Sequence, residues 1–247
     1  MNRALIVGGA NGIGLSIATE LARDPSISLV YIVDKAPIPE EYMNPKFQYF
    51  QFDLTAADYS FFRRFHDIDT LMITAGFGRL ALFRDITDEQ IQAYFNVNTL
   101  PVIRLIKLFY PRLESQDDFH CGVMVSIAGY LSSPFFSIYA ATKAALRVFI
   151  ESVNVELLQA GSTNQILNVS PGSIKGTSFN QGKTDLTQTT GLARQIIHHL
   201  SQKHDLFIPQ YEEVYQQVLE RYHHDFRAEG KHSYEYKLLR IKNNEST

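Results

Sequence analysis

The chain has 247 residues, 45% of them hydrophobic and 20% charged, which suits one globular domain over residues 1–247 with a well-buried core. A formal net charge of −3, from 23 basic and 26 acidic residues, leaves no general basic surface and argues against nucleic acid as a partner. The single Cys121 excludes an internal disulfide, and no run of 18 apolar residues or leader-like start occurs, so a cytoplasmic protein with no membrane span is expected.

Residues 4–7 form a short apolar run that feeds a glycine cluster, and residues 13–21 then show helical periodicity up to Asp24-Pro25. Residues 29–33 read as a second buried strand stopped by Asp34, and Pro37, Pro39 and Pro45 mark the loop behind it. A third strand over 47–52 ends at Asp53, a short helix covers 58–65, and a fourth strand over 71–74 runs into Ala75-Gly76. From 88 to 113 one long helical pattern contains Pro101, so a kink or a break is expected there. A fifth strand at 123–127 precedes a long helix over 138–160, which Gly161 closes, and a sixth strand lies at 165–169. Residues 175–191 are polar, rich in Thr, Gln and Gly, and show no usable period. A helix over 193–200, a brief strand at 206–208 and a helix over 211–226 follow, and the tail from Lys231 is expected to fray. Apolar strands alternating with helices predict an α/β fold, a parallel sheet covered on both faces, without repeats.

Past Tyr139 the sequence turns strongly helical, so Tyr139 and Lys143, four apart, share one helix face. An ammonium beside a phenol favours phenolate and lowers the tyrosine pKa from about 10, which makes a general acid/base. The same spacing recurs at Tyr31/Lys35 and Tyr42/Lys46, but the first pair straddles a strand end and the second contains Pro45. Ser126, thirteen residues before Tyr139, ends an apolar run. Gly8-Gly9-Ala10-Asn11-Gly12-Ile13-Gly14 joins a strand to a helix, where glycines let backbone approach a dinucleotide pyrophosphate. Asp34, twenty residues past Gly14, can accept hydrogen bonds from ribose hydroxyls and would repel a 2′-phosphate, so NAD is expected over NADP, softened by the adjacent Lys35. The histidines show no metal pattern; His198-His199 and His223-His224 are adjacent pairs on opposite sides of a helix.

As a set, Gly8-x-x-x-Gly12-x-Gly14, Asn98, Ser126, Tyr139 and Lys143 resemble the short-chain dehydrogenase/reductase family over residues 3–177. The resemblance implies a Rossmann-type, doubly wound sheet of seven strands in the order 3-2-1-4-5-6-7, with helices on both faces. It implies four catalytic residues. Tyr139 would move the proton, Ser126 hold the carbonyl oxygen, Lys143 lower the Tyr139 pKa and grip the ribose, and Asn98 hold a water leading to solvent. Gly8, Asn11, Gly12, Ile13 and Gly14 would take the pyrophosphate and Asp34 the ribose; Asp53-Leu54 would meet the adenine, although Asp53 reads equally well as a helix N-cap. Ala75 and Gly76 would line the cofactor, Pro171, Gly172 and Ile174 the nicotinamide, and Thr177 a phosphate. The chain departs from the family at Val7, where Thr is usual, at Ile73-Thr74, where two asparagines are usual, and at Thr177, one residue late. The loss of the first asparagine removes its side-chain hydrogen bonds.

The expected function is an NAD(H)-dependent oxidoreductase acting on a small alcohol or ketone. An NAD-sensing protein without turnover and a dehydratase or epimerase on the same fold are the alternatives. Phe77, Tyr130, Phe135, Phe136 and Phe179 are expected to face substrate or join the core. Leu105, Ile106, Leu108 and Phe109 in one helix, and Leu146, Phe149, Ile150 and Val153 in another, are apolar on more than one face and must be covered on both sides. The resemblance implies that these two helices pair across a two-fold axis, so a homodimer or homotetramer is expected. Residues 175–191 are expected to form a substrate lid, and 211–247 a C-terminal extension.

Overall fold

Side chains that alternate between two covered faces build the centre of this molecule. The computed structural model describes residues 1–177, 179 and 182–245, with side chains as far as Leu239. Strands β1 (Arg3–Val7), β2 (Leu29–Asp34), β3 (Phe47–Gln51), β4 (Thr70–Ile73), β5 (His120–Met124), β6 (Ile166–Val169) and β7 (Leu206–Phe207) pair in parallel, in the order β3-β2-β1-β4-β5-β6-β7. Leu5, Val7, Val33, Leu71, Ile73 and Val123 face one side, against helices α3 (Leu100–Glu114) and α4 (Ser137–Gln159). Ala4, Ile6, Ile32, Met72 and Leu167 face the other, against α1 (Gly12–Arg23) and α5 (Leu186–Ser201). Two buried faces are why the strands read as unbroken apolar runs. The sheet is of the doubly wound Rossmann type.

Between β1 and β4 the chain reverses its direction of travel across the sheet. β1 pairs with β2 on one side and β4 on the other, Val7 lying beside both Val33 and Ile73. A crevice opens beyond the carboxyl ends at such a point. Gly8, Ala75, Ser126 and Ser170 all follow strands that end there.

Several elements differ from the sequence expectation. The pattern over 88–113 is two helices, α2 (Asp88–Asn98) and α3, broken at Thr99; Pro101 stands in the first turn of α3, where its missing N–H is not needed. The short helix at 58–65 is a 3-10 helix, Ser60–Arg64. The fifth strand ends at Met124, and Ser126 caps a 3-10 turn over Ile127–Gly129. Residues 186–191 belong to α5, whose start is fixed by the Asp185 carboxylate accepting from Thr187 N at 3.0 Å. Ser178, Asn180 and Gln181 of the expected lid lie outside the described residues.

The C-terminal region departs furthest. A π-helical turn (Tyr211–Tyr215) leads into α6 (Gln216–His224), and α7 (Phe226–Glu245) occupies the tail that was expected to fray. Asp225 separates the two helices and caps α7, its carboxylate accepting from Arg227 N and Ala228 N at 2.9 and 3.1 Å. The helix is held because one face rests on the loop before α4. Tyr234 stacks on Phe135 with ring centroids 4.8 Å apart, and Lys237 donates to Ser133 Oγ at 2.8 Å and the Pro134 carbonyl at 2.9 Å. Ser246 and Thr247 lie outside the described residues.

Candidate active site

Gly8 and Gly14 are locked into a turn that no larger residue fits. A β-carbon on Gly8, whose φ is +85°, would stand 2.4 Å from Ala75 N; one on Gly14 would stand 2.2 Å from the Gly8 carbonyl. The turn thereby carries no side chain at these two positions, which lets a pyrophosphate come close to its backbone. Asn11 caps the helix with extended backbone, Gly12 carries φ +51°, and Ile13 packs on the α1 side of the sheet. Thr184 Oγ1 accepts from Gly12 N at 3.1 Å, and Thr177 packs on the same glycine, so the segment after β6 already lies across this turn. Thr74 was not anticipated. Its hydroxyl donates to the Gly8 carbonyl at 2.8 Å and ties β4 to the glycine turn.

Asp34 ends β2 beside this turn, with carboxylate oxygens accepting from Ala10 N at 3.0 Å and Ala36 N at 3.1 Å. Lys35 is engaged elsewhere, pairing with Asp53 at 3.0 Å. The Asp53 carboxyl is held at about 2, first by the Thr55 backbone N–H and then by Lys35. Leu54 lends its carbonyl to Tyr59, whose hydroxyl donates at 2.6 Å. These residues fit the adenosine end of a dinucleotide: a carboxylate at the ribose position and no uncommitted cation in the adjacent residue.

Ser126, Tyr139, Lys143 and Asn98 come together at the carboxyl edge of β4 and β5, all buried. Lys143 Nζ donates to the Met124 carbonyl at 2.8 Å and lies 5.8 Å from the Tyr139 ring centre. Asn98 Oδ1 accepts from Phe77 N and its Nδ2 donates to Phe77 O, both at 2.9 Å. That reciprocal pair fixes the loop after Gly76, and a β-carbon on Gly76 would touch both Asn98 Oδ1 and Lys143 Nζ. Thr142, also missed from sequence, accepts from Asn98 Nδ2 at 3.2 Å and donates to the Tyr139 carbonyl at 2.7 Å. Ser126 Oγ donates to the Pro171 carbonyl at 3.4 Å and accepts from Ala128 N at 3.1 Å. Gly172 follows on that loop, and the Ile174 carbonyl accepts from Thr177 Oγ1 at 3.2 Å.

Burial sets the charges here. Burial pushes the Tyr139 phenol up to about 12, against the pull of the neighbouring Ser126 hydroxyl. Burial also pushes the Lys143 ammonium down to about 7. The sequence argument expected Lys143 to lower Tyr139. In this site desolvation wins on both groups, because a lysine that sheds its proton near neutrality has little field to offer its neighbour.

Aromatic rings roof the cluster. Phe136 and Phe179 lie 5.7 and 5.3 Å from the Tyr139 ring, and Phe77 stacks on Tyr94 at 4.6 Å. Phe135 faces Tyr234, and the Tyr130 hydroxyl accepts from Asn168 Nδ2 at 2.9 Å, so neither joins that roof. Among the described residues no three His, Cys, Asp or Glu side chains gather as a metal site, and no helix is long and apolar enough to cross a membrane.

Residues 2–187 match the family described as short chain dehydrogenase. Retinol dehydrogenase 8 of Bos taurus is 26% identical over 228 residues, 87% of this chain and 72% of that protein. Among solved structures, a short chain dehydrogenase/reductase from Burkholderia phymatum in complex with NAD superposes with a TM-score of 0.75 at 18% identity, over 92% of this chain and 94% of that one. An alcohol dehydrogenase from Thermococcus sibiricus complexed with 5-hydroxy-NADP gives 0.70 at 21% identity, over 84% and 95%. The two structural likenesses speak for the fold. The family match, which spans most of the sequence from β1 to the start of α5, decides membership: this chain is a short-chain dehydrogenase/reductase.

Proposed function

We propose that the chain is an NAD(H)-dependent oxidoreductase interconverting an alcohol and its carbonyl in a small molecule. In this reading residues 1–247 form one domain, with 175–191 as a lid and 211–247 as an extension. The observation that carries it is the burial together of Ser126, Tyr139 and Lys143 at the strand ends, next to the glycine turn. When bound, the nicotinamide dinucleotide supplies or takes up hydride.

The chain's own residues do the rest. Tyr139 keeps its proton up to about 12 and so stands ready as an acid, its hydroxyl giving that proton to a carbonyl oxygen as reduction proceeds. Ser126 Oγ holds the same oxygen by hydrogen bond. Lys143, with a pKa near 7, gains and loses a proton near neutrality, which suits it to restore the one Tyr139 gives up. Asn98 holds the Phe77 backbone, and through it the loop in front of Lys143. NAD is favoured over NADP because the Asp34 carboxylate would repel a 2′-phosphate while Lys35 is neutralised by Asp53. We also assign a homodimer or homotetramer, on the exposed apolar residues of α4.

The test is a turnover screen over ketones, aldehydes, sugars and steroids with NADH and NADPH, on the parent and on Tyr139→Phe. NADH should give the higher kcat/KM. The variant should lose at least ~100-fold in kcat with its NADH affinity unchanged, as removal of a general acid/base typically does. A variant within a few-fold of the parent excludes Tyr139 as the proton donor, and a preference for NADPH overturns the cofactor assignment. NADH binding without any turnover favours the sensor alternative.

A further inference from the structure

The polar groups around the aromatic roof are almost all spoken for. Tyr94 donates to the Arg79 carbonyl at 3.3 Å and accepts from Arg79 N at 3.0 Å. Lys237 gives its protons to Ser133 and Pro134, and the Tyr130 hydroxyl meets Asn168. Tyr215 is different. It is half-buried, and its hydroxyl has no hydrogen-bond partner among the described residues. Burial raises its pKa above the ordinary phenol value, with a further push from Tyr236, so it remains a donor throughout the neutral range.

Its location gives that hydroxyl a use. A β-carbon on Gly172 would stand 1.6 Å from Tyr215 Oη, so the phenol fills the space that any other residue at 172 would claim. Gly172 follows Pro171, whose carbonyl accepts from Ile127 N at 3.0 Å and from Ser126 Oγ at 3.4 Å. Taken link by link, with ordinary peptide geometry between Pro171 and Gly172, this bounds the Ser126–Tyr215 hydroxyl separation at about 9 Å. A deliberate piece of backbone puts the ring there. Gln210 has φ +59°, and Tyr215 N donates to the Gln210 carbonyl at 3.3 Å, five residues back, in a π-helical turn. Such turns recur at functional sites.

We propose that Tyr215 is a specificity-determining residue whose hydroxyl donates to a second oxygen on the substrate, within a few bonds of the reacting carbon. The preferred substrates are then hydroxyketones and dicarbonyl compounds rather than plain ketones of the same skeleton. This rests on the oxidoreductase reading and names its substrate class. A site that hydrogen-bonds a substrate oxygen favours the molecule that carries it over the analogue that lacks it.

The experiment uses matched pairs that differ by one oxygen: acetoin with 2-butanone, and benzoin with deoxybenzoin. In the parent, kcat/KM should be at least ~10-fold higher for the oxygenated member, and Tyr215→Phe, which keeps the ring, should bring the two within a few-fold. The rate on the plain ketone and the NADH Kd should stay unchanged. An equal loss on both members, or an unchanged ratio, overturns the proposal. So does a parallel loss of NADH affinity, the result expected if the hydroxyl served the cofactor's carboxamide instead. Calorimetric binding of the same pairs to the protein–NAD complex repeats the comparison without turnover. Preference for the oxygenated member that vanishes in Tyr215→Phe, in a protein with no turnover, upholds this inference and sinks the oxidoreductase reading. A parent that binds both members alike, or neither, overturns it whatever the activity.

Discussion

Lys143 is 3% exposed and hydrogen-bonded to the Met124 carbonyl, so its charge is carried with little water. Its pKa falls from 10.5 to about 7. Between those values the unfolded chain holds a proton that the folded chain has released, so stability rises with pH through that window and the burden of a buried charge returns below it. Lys143→Met should therefore raise the melting temperature most at pH 6, with the gain shrinking toward pH 9; about 1 kcal/mol corresponds to roughly 2–4 °C for a chain of this size. A gain constant from pH 6 to 9 would show that the lysine does not titrate there. The residues that gather around Lys143 were legible because each stands in a short motif. Thr74, Thr142 and Tyr215 were not, since each matters through a partner far along the chain or through space left by a glycine.

At the scale of elements, α7 acts as a clasp. Phe226, Gly230, Tyr234 and Lys237 are spaced four, four and three apart, one face of a helix, and they meet residues 132–135. That loop carries Phe135 at φ +65° and leads directly to Phe136 against the Tyr139 ring. Lys237→Met keeps the stem of the side chain and removes both donors. Amide exchange over residues 131–136 should then speed up about tenfold, equivalent to about 1.4 kcal/mol of lost protection. Unchanged exchange would mean that α7 rests on the loop without holding it. The sheet and the helix break near Pro101 were readable from apolar runs and turn residues, and the strand order from the family resemblance. The tail was not: residues 226–239 are polar with no apolar stripe, and what orders them is a loop nearly a hundred positions away.

Viewed as a whole, the molecule hides most of the residues first taken as an interface. Leu105, Ile106, Phe109, Leu146, Ile150 and Val153 are core, covered by the chain's own sheet. What α4 leaves outside is Val148, Val155 and Leu158, the last two 59% and 69% exposed, beside a groove that Leu206 also lines. If the proposed oligomer pairs here, Val155→Glu with Leu158→Glu should yield a folded monomer by light scattering at micromolar concentration, with an unaltered circular dichroism spectrum. An assembly of unchanged mass would place the contact elsewhere or remove it.

The packing of α1 against α5 governs how this chain comes off the ribosome. Leu15, Ala18 and Leu21 are buried together with Ala193, Ile196 and Leu200, partners made about 180 residues later. The first three strands and α1 can assemble soon after they emerge, but one side of α1 stays bare until α5 has been made. Parallel pairing of distant segments is slow, and apolar surface exposed meanwhile invites aggregation. Chaperone dependence during synthesis, relieved only once residue 200 has left the exit tunnel, follows from where the covering helix falls in the gene's order.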